Sequence, residues 1–446
     1  MQYISTIWSK LYLTKYLYNK FAKILLNHKR MKTIHFIIAF VFIASVSTAC
    51  KKKADPVQKS EMKQVQLTEK QKLLIDDNNA FGFEFFRKVN EYSGGESNLM
   101  VSPLSVSMAL GMTRNGARNS TLEGMTHTLG FSSLSDEEIN ESYKYILETF
   151  TGLDPKVKLS IANSIWYRNT FTVEQPFVTI NRQYFDAIVT PLDFGNPESV
   201  GTINAWVNEK TNQLIPTIID AIPENAVMYL INAVYFKGQW KYQFEATNTQ
   251  PKPFFLQDNT EIQVQSMLQR ASFPYFQGAG FKAIDLPYNQ GNYTMIVLLP
   301  DADKTVNDVI SQLTKENWDM WSSQFADHDV QLQIPKFRYE YNEKKMITIL
   351  SDMGMDVAFD PDNADFTGIN SNGGLYISAV KHKSFIETNE EGTEAAAVTS
   401  VEVGTTSAGP DPEPLPMNID RPFVYFIQEK STGAILFIGT VINPNE

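Results

Sequence analysis

The sequence predicts a large α+β domain preceded by an export segment. Helix-like stretches such as 103–116 mix with strand-like ones such as 293–299, without the regular alternation of a βαβ protein. No internal repeat is visible, and 43% of the 446 residues are hydrophobic, enough for one large core.

The N-terminal segment stands apart. Residues 1–49 hold seven Lys or Arg and no acidic residue. Within them, 31–49 (MKTIHFIIAFVFIASVSTA) has one basic residue, an apolar core over 36–46 and small residues before Cys50, which is a signal peptide rather than a membrane span. Translation is expected to start at Met31, with 1–30 an upstream extension; as an aromatic and basic stretch, 1–30 also suits a surface helix. Cys50 is the single cysteine and sits where bacterial lipoproteins carry their lipidated residue, although Ser47 stands where that pattern has leucine. A lipid anchor at Cys50 on a bacterial envelope is expected, with ordinary secretion after Ala49 as the alternative. Residues 50–70 then read as the anchor and a polar tether, and 71–446 as the folded domain. One cysteine allows no internal disulfide, so stability rests on packing.

Charge and motif content exclude several functions. Residues 50–446 carry 32 basic and 50 acidic residues, a formal charge of −18, which disfavours non-specific nucleic-acid binding and favours basic partners. Five histidines and one cysteine show no metal spacing, and no GxSxG elbow occurs, so neither a cofactor, a metal nor hydrolytic catalysis is expected.

Residues 389–416 (NEEGTEAAAVTSVEVGTTSAGPDPEPLP) lack large apolar side chains over an unusual length for a loop inside a domain. From Thr393 to Thr405 the residues alternate: Thr393, Ala395, Ala397, Thr399, Val401, Val403 and Thr405 share one face of a strand, and Glu394, Ser400 and Glu402 the other. Proline is absent between Gly392 and Gly409 and then occurs at 410, 412, 414 and 416, so only the first half suits a central strand. The segment reads as a loop able to become a strand; the same small residues and prolines also suit a disordered linker.

The run 389–399 (NEEGTEAAAVT) resembles the reactive-loop hinge of the serpins, the protease-inhibiting family. The similarity continues through 98–117 (NLMVSPLSVSMALGMTRNGA), 162–166 (ANSIW), 203–211 (INAWVNEKT), 232–240 (NAVYFKGQW), 334–337 (IPKF), 364–366 (ADF), 379–387 (AVKHKSFIE) and 421–427 (RPFVYFI), in the family's order and over nearly all of the chain after residue 70. The resemblance implies a monomeric serpin fold of three β-sheets and about nine helices, with an exposed reactive-centre loop. It implies a hinge at Glu390, Gly392, Thr393, Glu394, Ala395, Ala396 and Ala397, a shutter beneath the central sheet at Ser102, Ser105, Asn232 and His382, and a breach residue, Trp240, at the top of that sheet.

The activity so implied is that of a suicide substrate, not an enzyme: a protease cleaves the loop, and the freed arm enters the sheet with the acyl-enzyme attached. Counting from Glu390 and Gly392 places the reactive bond at Thr406 and Ser407, with the bond before Thr406 as the next candidate because the loop is a few residues longer than the family norm. Small uncharged residues there suit elastase-like or subtilisin-like serine proteases, and cysteine proteases stay open. A non-inhibitory serpin-fold binding protein is the alternative; the small Ala395, Ala396 and Ala397 speak against it.

Overall fold

The computed structural model describes residues 62–393 and 413–446. Among these are ten α-helices: α1 (Glu69–Ser93), α2 (Pro103–Arg114), α3 (Asn119–Leu129), α4 (Asp136–Phe150), α5 (Gln175–Phe185), α6 (Glu198–Lys210), α7 (Val306–Ile310), α8 (Lys315–Ser322), α9 (Met346–Leu350) and α10 (Asp356–Phe359). The strands are β1 (Leu99–Val101), β2 (Val157–Arg168), β3 (Ile188–Leu192), β4 (Met228–Gln239), β5 (Gln250–Phe255), β6 (Glu261–Gln277), β7 (Phe281–Pro287), β8 (Tyr293–Pro300), β9 (Ala326–Pro335), β10 (Phe337–Glu343), β11 (Val380–Thr388), β12 (Gly392–Thr393), β13 (Leu415–Asn418), β14 (Phe423–Glu429) and β15 (Ile435–Val441).

Local signals set the element ends. Thr68 and Gln71 form a reciprocal capping box that starts α1, and Gly94, left-handed at φ 79°, ends it. Ser135 and Glu138 do the same at the start of α4. Helix α2 starts at Pro103, whose missing N–H costs nothing in the first turn, and all twelve of its residues are buried. It packs against both β4 and β15, which makes it the central spacer between the sheets.

Strands β10, β11, β12, β4, β2 and β3 form one six-stranded sheet. The other nine form one hydrogen-bonded network, eight of them on a single path with β5 branching from β6, in which β6 pairs with β5 and β9 over most of its length and with β7 only at 275–277. Divided at that point, the path gives two sheets and the molecule three. Strands β8, β14 and β15 are buried at every residue, which needs cover on both faces, whereas β11 alternates buried and half-buried positions. Its inward set is Val380, His382, Ser384, Ile386 and Thr388.

The polar tether expected over 51–70 ends earlier than its composition suggests. Lys63 Nζ donates to the Leu153 carbonyl at 2.8 Å, the Val65 amide donates to Ser431 Oγ at 3.1 Å, and Tyr145 Oη donates to the Gln66 carbonyl at 2.6 Å. The extended backbone before α1 is thus held by hydrogen bonds that a polar composition leaves invisible in the sequence.

Candidate functional site: the β4–β11 seam of the six-stranded sheet

Strands β4 and β11 are partners at one end only. There they pair in parallel, Val380 with Leu230 and Lys381 with Ile231. At the other end β12 stands between them, antiparallel to both: Thr393 opposes Thr388 on β11 and Gly238 on β4, and Gly392 opposes Gln239. Over His382 to Glu387, no strand among the described residues lies between β11 and β4. Six residues at about 3.3 Å each give this stretch of the β4–β11 seam a length of roughly 20 Å.

The wedge is anchored by its neighbours. Gly392 approaches β4 so closely that a Cβ would lie 2.0 Å from the Gly238 carbonyl oxygen, and its φ is 154°, so no other residue fits without displacing backbone. Thr393 is 3% exposed and its hydroxyl lies 2.7 Å from the Tyr288 hydroxyl. Tyr288 is fully buried and stacks on Trp240, with ring centroids 4.5 Å apart and planes 9° from parallel. Trp240 ties the approach to the wedge, its indole Nε1 donating to the Asn389 carbonyl at 2.9 Å and its amide to the Glu391 carbonyl at 2.8 Å. Glu390 forms an ion pair with Lys336 at 3.0 Å and accepts from Thr249 Oγ1 at 2.8 Å. Burial pushes the Glu390 carboxyl up, but its own backbone amide and the bonds from Lys336 and Thr249 outweigh this and hold it below the ordinary range.

At the closed end, two polar contacts connect α2 and the residue before it to the sheet. Ser105 Oγ donates to Asn232 Oδ1, and Asn232 Nδ2 donates to Asn163 Oδ1 at 2.6 Å. Asn163 in turn donates to the Phe185 carbonyl at 2.9 Å. The Ser102 amide donates to His382 Nε2 at 3.0 Å. His382 is 3% exposed, and burial lowers its pKa from 6.5 to about 4, so the ring is neutral with its proton on Nδ1. With Nε2 taken by a main-chain amide rather than a serine hydroxyl, this histidine is not arranged as the general base of a triad. Among the described residues no group of His, Cys, Asp or Glu side chains is placed to hold a metal, and no helix is long and apolar enough to cross a membrane.

This architecture, an interior strand wedge over a polar cluster, coincides with a family match. The family model described as serpin (serine protease inhibitor) matches residues 76–444. The chain is a serpin. Human neuroserpin is 32% identical to it over 363 residues, 79% of this chain and 87% of that protein. Human antithrombin-III is 32% identical over 407 residues, 88% of this chain and 87% of that protein. Among solved structures, the native-state thermophilic serpin tengpin aligns with a TM-score of 0.76 at 34% identity, covering 85% of this chain and 96% of that one. Human thyroxine-binding globulin in complex with thyroxine aligns with a TM-score of 0.77 at 27% identity, covering 84% of this chain and all of the other.

In this serpin the structure brings Ser105 together with Asn232, and Ser102 with His382; Trp240 lies against residues 389–391, as described above. The remaining sequence-predicted positions, Glu394, Ala395, Ala396, Ala397, Thr406, Ser407 and Cys50, fall outside the described residues. Gly392 and Thr393 lie within the sheet, buried as β12, with Thr393 turned inward. The cause is the β4 edge at Gly238, which lacks a side chain, and the Tyr288 hydroxyl, which gives Thr393 a partner. Tyr288, Lys336, Gly238 and Asn163 escaped sequence reasoning. Asn163, Gly238 and Lys336 lie within the matching blocks 162–166, 232–240 and 334–337, but without an assigned role; Tyr288 carries no local signal.

Proposed function

We propose that this serpin is an irreversible inhibitor of serine proteases that acts by inserting its reactive loop between β4 and β11. The observation that carries the reading is β12 itself, two hinge residues seated in the orientation a full strand requires. Continuing its register, each step along the loop moves one residue down both neighbours. Ala395 then faces Ile386, Ala397 faces Ser384, and Thr399 arrives between His382 and Asn232. These are the alternate residues that the sequence places on one face, and β11 offers its buried set to them. The strand cannot advance past Thr399 unless the pairs Val380–Leu230 and Lys381–Ile231 part. The polar cluster at Asn232 and His382 therefore lies where the sheet must open, and Ser102 and Ser105 fix it to the base.

In the proposed reaction the protease nucleophile attacks the carbonyl carbon of Thr406. The bond to the Ser407 nitrogen breaks, that nitrogen leaves protonated, and an ester joins Thr406 to the protease. Insertion then supplies backbone partners to the edges of β4 and β11. A target with a shallow primary pocket, elastase-like or subtilisin-like, suits Thr406 and the Val403, Gly404 and Thr405 before it. Lipid attachment at Cys50 would hold the inhibitor at a bacterial envelope, and its activity needs no cofactor. Incubation with an elastase-like protease should give a denaturant-stable adduct and a released peptide that begins at Ser407. A peptide beginning beyond Pro410 would refute the register, and turnover without any adduct would favour a non-inhibitory binding role.

A further inference from the structure

The closed end of the seam carries two cations without partners. On the outer face of the sheet, Tyr229, Ile231 and Ala379 belong to an apolar cluster with Ile203, Trp206 and Val207 of α6. Half-buried Lys381 shares that face, since it pairs with Ile231 and alternates with the inward set of β11. The β10–β11 pairing ends with Glu343 opposite His382, and one step further sets Lys344 opposite Lys381, on the side of the exposed Arg338, Glu340 and Asn342. Both lysines line a cleft of about 130 Å³. Like charges directly opposite each other destabilise a strand pair. Yet neither lysine has an ion-pair partner among the described residues, whereas the neighbouring Lys383 lies 2.7 Å from Glu340 and Lys345 donates to the Tyr92 carbonyl at 2.8 Å.

The reactive loop supplies the opposite charge. Between Thr393 and Thr406 the only charged residues are Glu394 and Glu402, both of the outward parity. Glu402 lies outside the described residues. Extending the β12 register to full insertion puts Ser400 between Lys381 and Ile231, and Glu402 between Ala379 and Tyr229, one diagonal step from Lys381. Diagonal neighbours are about 7–8 Å apart, within reach of two long side chains. A carboxylate brought onto that apolar face without a counter-ion would oppose insertion.

We propose that Lys381, backed by Lys344, is the counter-ion that receives Glu402 once the loop has inserted to the far end of the seam. Lys381 is then a positioning residue, which touches no reacting atom and stabilises the fully inserted strand; this rests on the insertion proposed above. Thermal melts of the intact chain and of the chain cleaved in its loop test it, in urea, which is uncharged and leaves ion pairs unscreened. Lys381→Met and Glu402→Gln should each lower the melting point of the cleaved form by about 2 °C, leave the intact form no less stable, and together lower it no further. Lys381→Glu should do more harm, and adding Glu402→Lys should recover the loss, which a merely structural role for Lys381 would not allow. Additive effects of the two single substitutions, or no recovery in the charge swap, would overturn the proposal and leave insertion standing. A wild-type cleaved chain no more stable than the intact one would overturn both. Phosphate that stabilises the intact chain through Lys381, with Glu402→Gln silent in the cleaved form, would overturn the proposal in favour of a free-anion site.

Discussion

Replacing Thr393 by arginine tests the wedge most directly. The side chain is 3% exposed, faces the Tyr288 hydroxyl and stands between Gly238 and Thr388, with no carboxylate hydrogen-bonded to it. A guanidinium there would lose water without gaining a counter-ion, at a cost of about 3 kcal/mol or more. At about 1.4 kcal/mol per factor of ten, the docked hinge becomes at least roughly a hundredfold rarer. If insertion proceeds from the docked hinge, it slows by the same factor, while hydrolysis of the acyl-enzyme, which belongs to the protease, keeps its rate. The number of inhibitor molecules cleaved without trapping, per protease trapped, would then rise about a hundredfold, so an inhibitor that loses roughly one in ten to cleavage would lose on the order of ten per protease trapped. The assay is the stoichiometry of inhibition against an elastase-like protease, with adducts resolved on a denaturing gel and the cut site sequenced. Thr393→Val keeps the shape and loses one hydrogen bond, about 1 kcal/mol, so it should lie well below the arginine effect. Glu394→Arg adds the same charge on the opposite face and should also do far less. A Thr393→Arg protein with wild-type stoichiometry would refute the reasoning, and equal damage from Glu394→Arg would refute the parity.

Three further outcomes are expected. Gly392→Ala places a Cβ 2.0 Å from the Gly238 carbonyl oxygen, so the hinge should be displaced and adduct yield should fall without a change in cleavage position, read on the same gels. His382 is held neutral, with a folded pKa near 4 against 6.5 unfolded, so the unfolded chain binds more protons between these values; its contribution is complete above about pH 6.5 and is lost as pH falls towards 4, at most about 3 kcal/mol. Denaturant melts across that window should show the slope, and His382→Gln should flatten it. Cys50→Ala should shift the protein from the membrane to the soluble exported fraction on cell fractionation if an acyl chain at Cys50 is the anchor.

What the sequence made legible follows the range of the physics. The inward turn of Thr393 could be read because alternation, glycine and proline act over a few residues: Gly392 and Thr393 form β12 with Thr393 buried. The alternating inward set of β11 is equally local, written in the run VKHKSFIET. The polar cluster was legible only through family resemblance, since Ser105 and Asn232 are 127 positions apart and no local pattern joins them. Partners that come from distant segments were not legible as partners: Tyr288 reaches Thr393 across 105 positions, and Lys336, although inside the block 334–337, reaches Glu390 across 54. The docked backbone around Lys63 was missed for a related reason, because its acceptors and donors are on Leu153, Asn292 and Ser431.

The pairing of the two ends of the domain sets an order of assembly. Leu99, Met100 and Val101 pair with Thr440, Gly439 and Ile438, and Asn79 of α1 accepts from the Ile435 amide and donates to the Gly433 carbonyl. Strands β14 and β15, buried at every residue, are the last to be synthesised. Helix α1 and strand β1 therefore wait for partners more than 300 positions away, and a ribosome still holding β14 and β15 holds a chain whose core has no centre. Such a chain completes its core only after release, with β14 and β15 among the last pieces to join it.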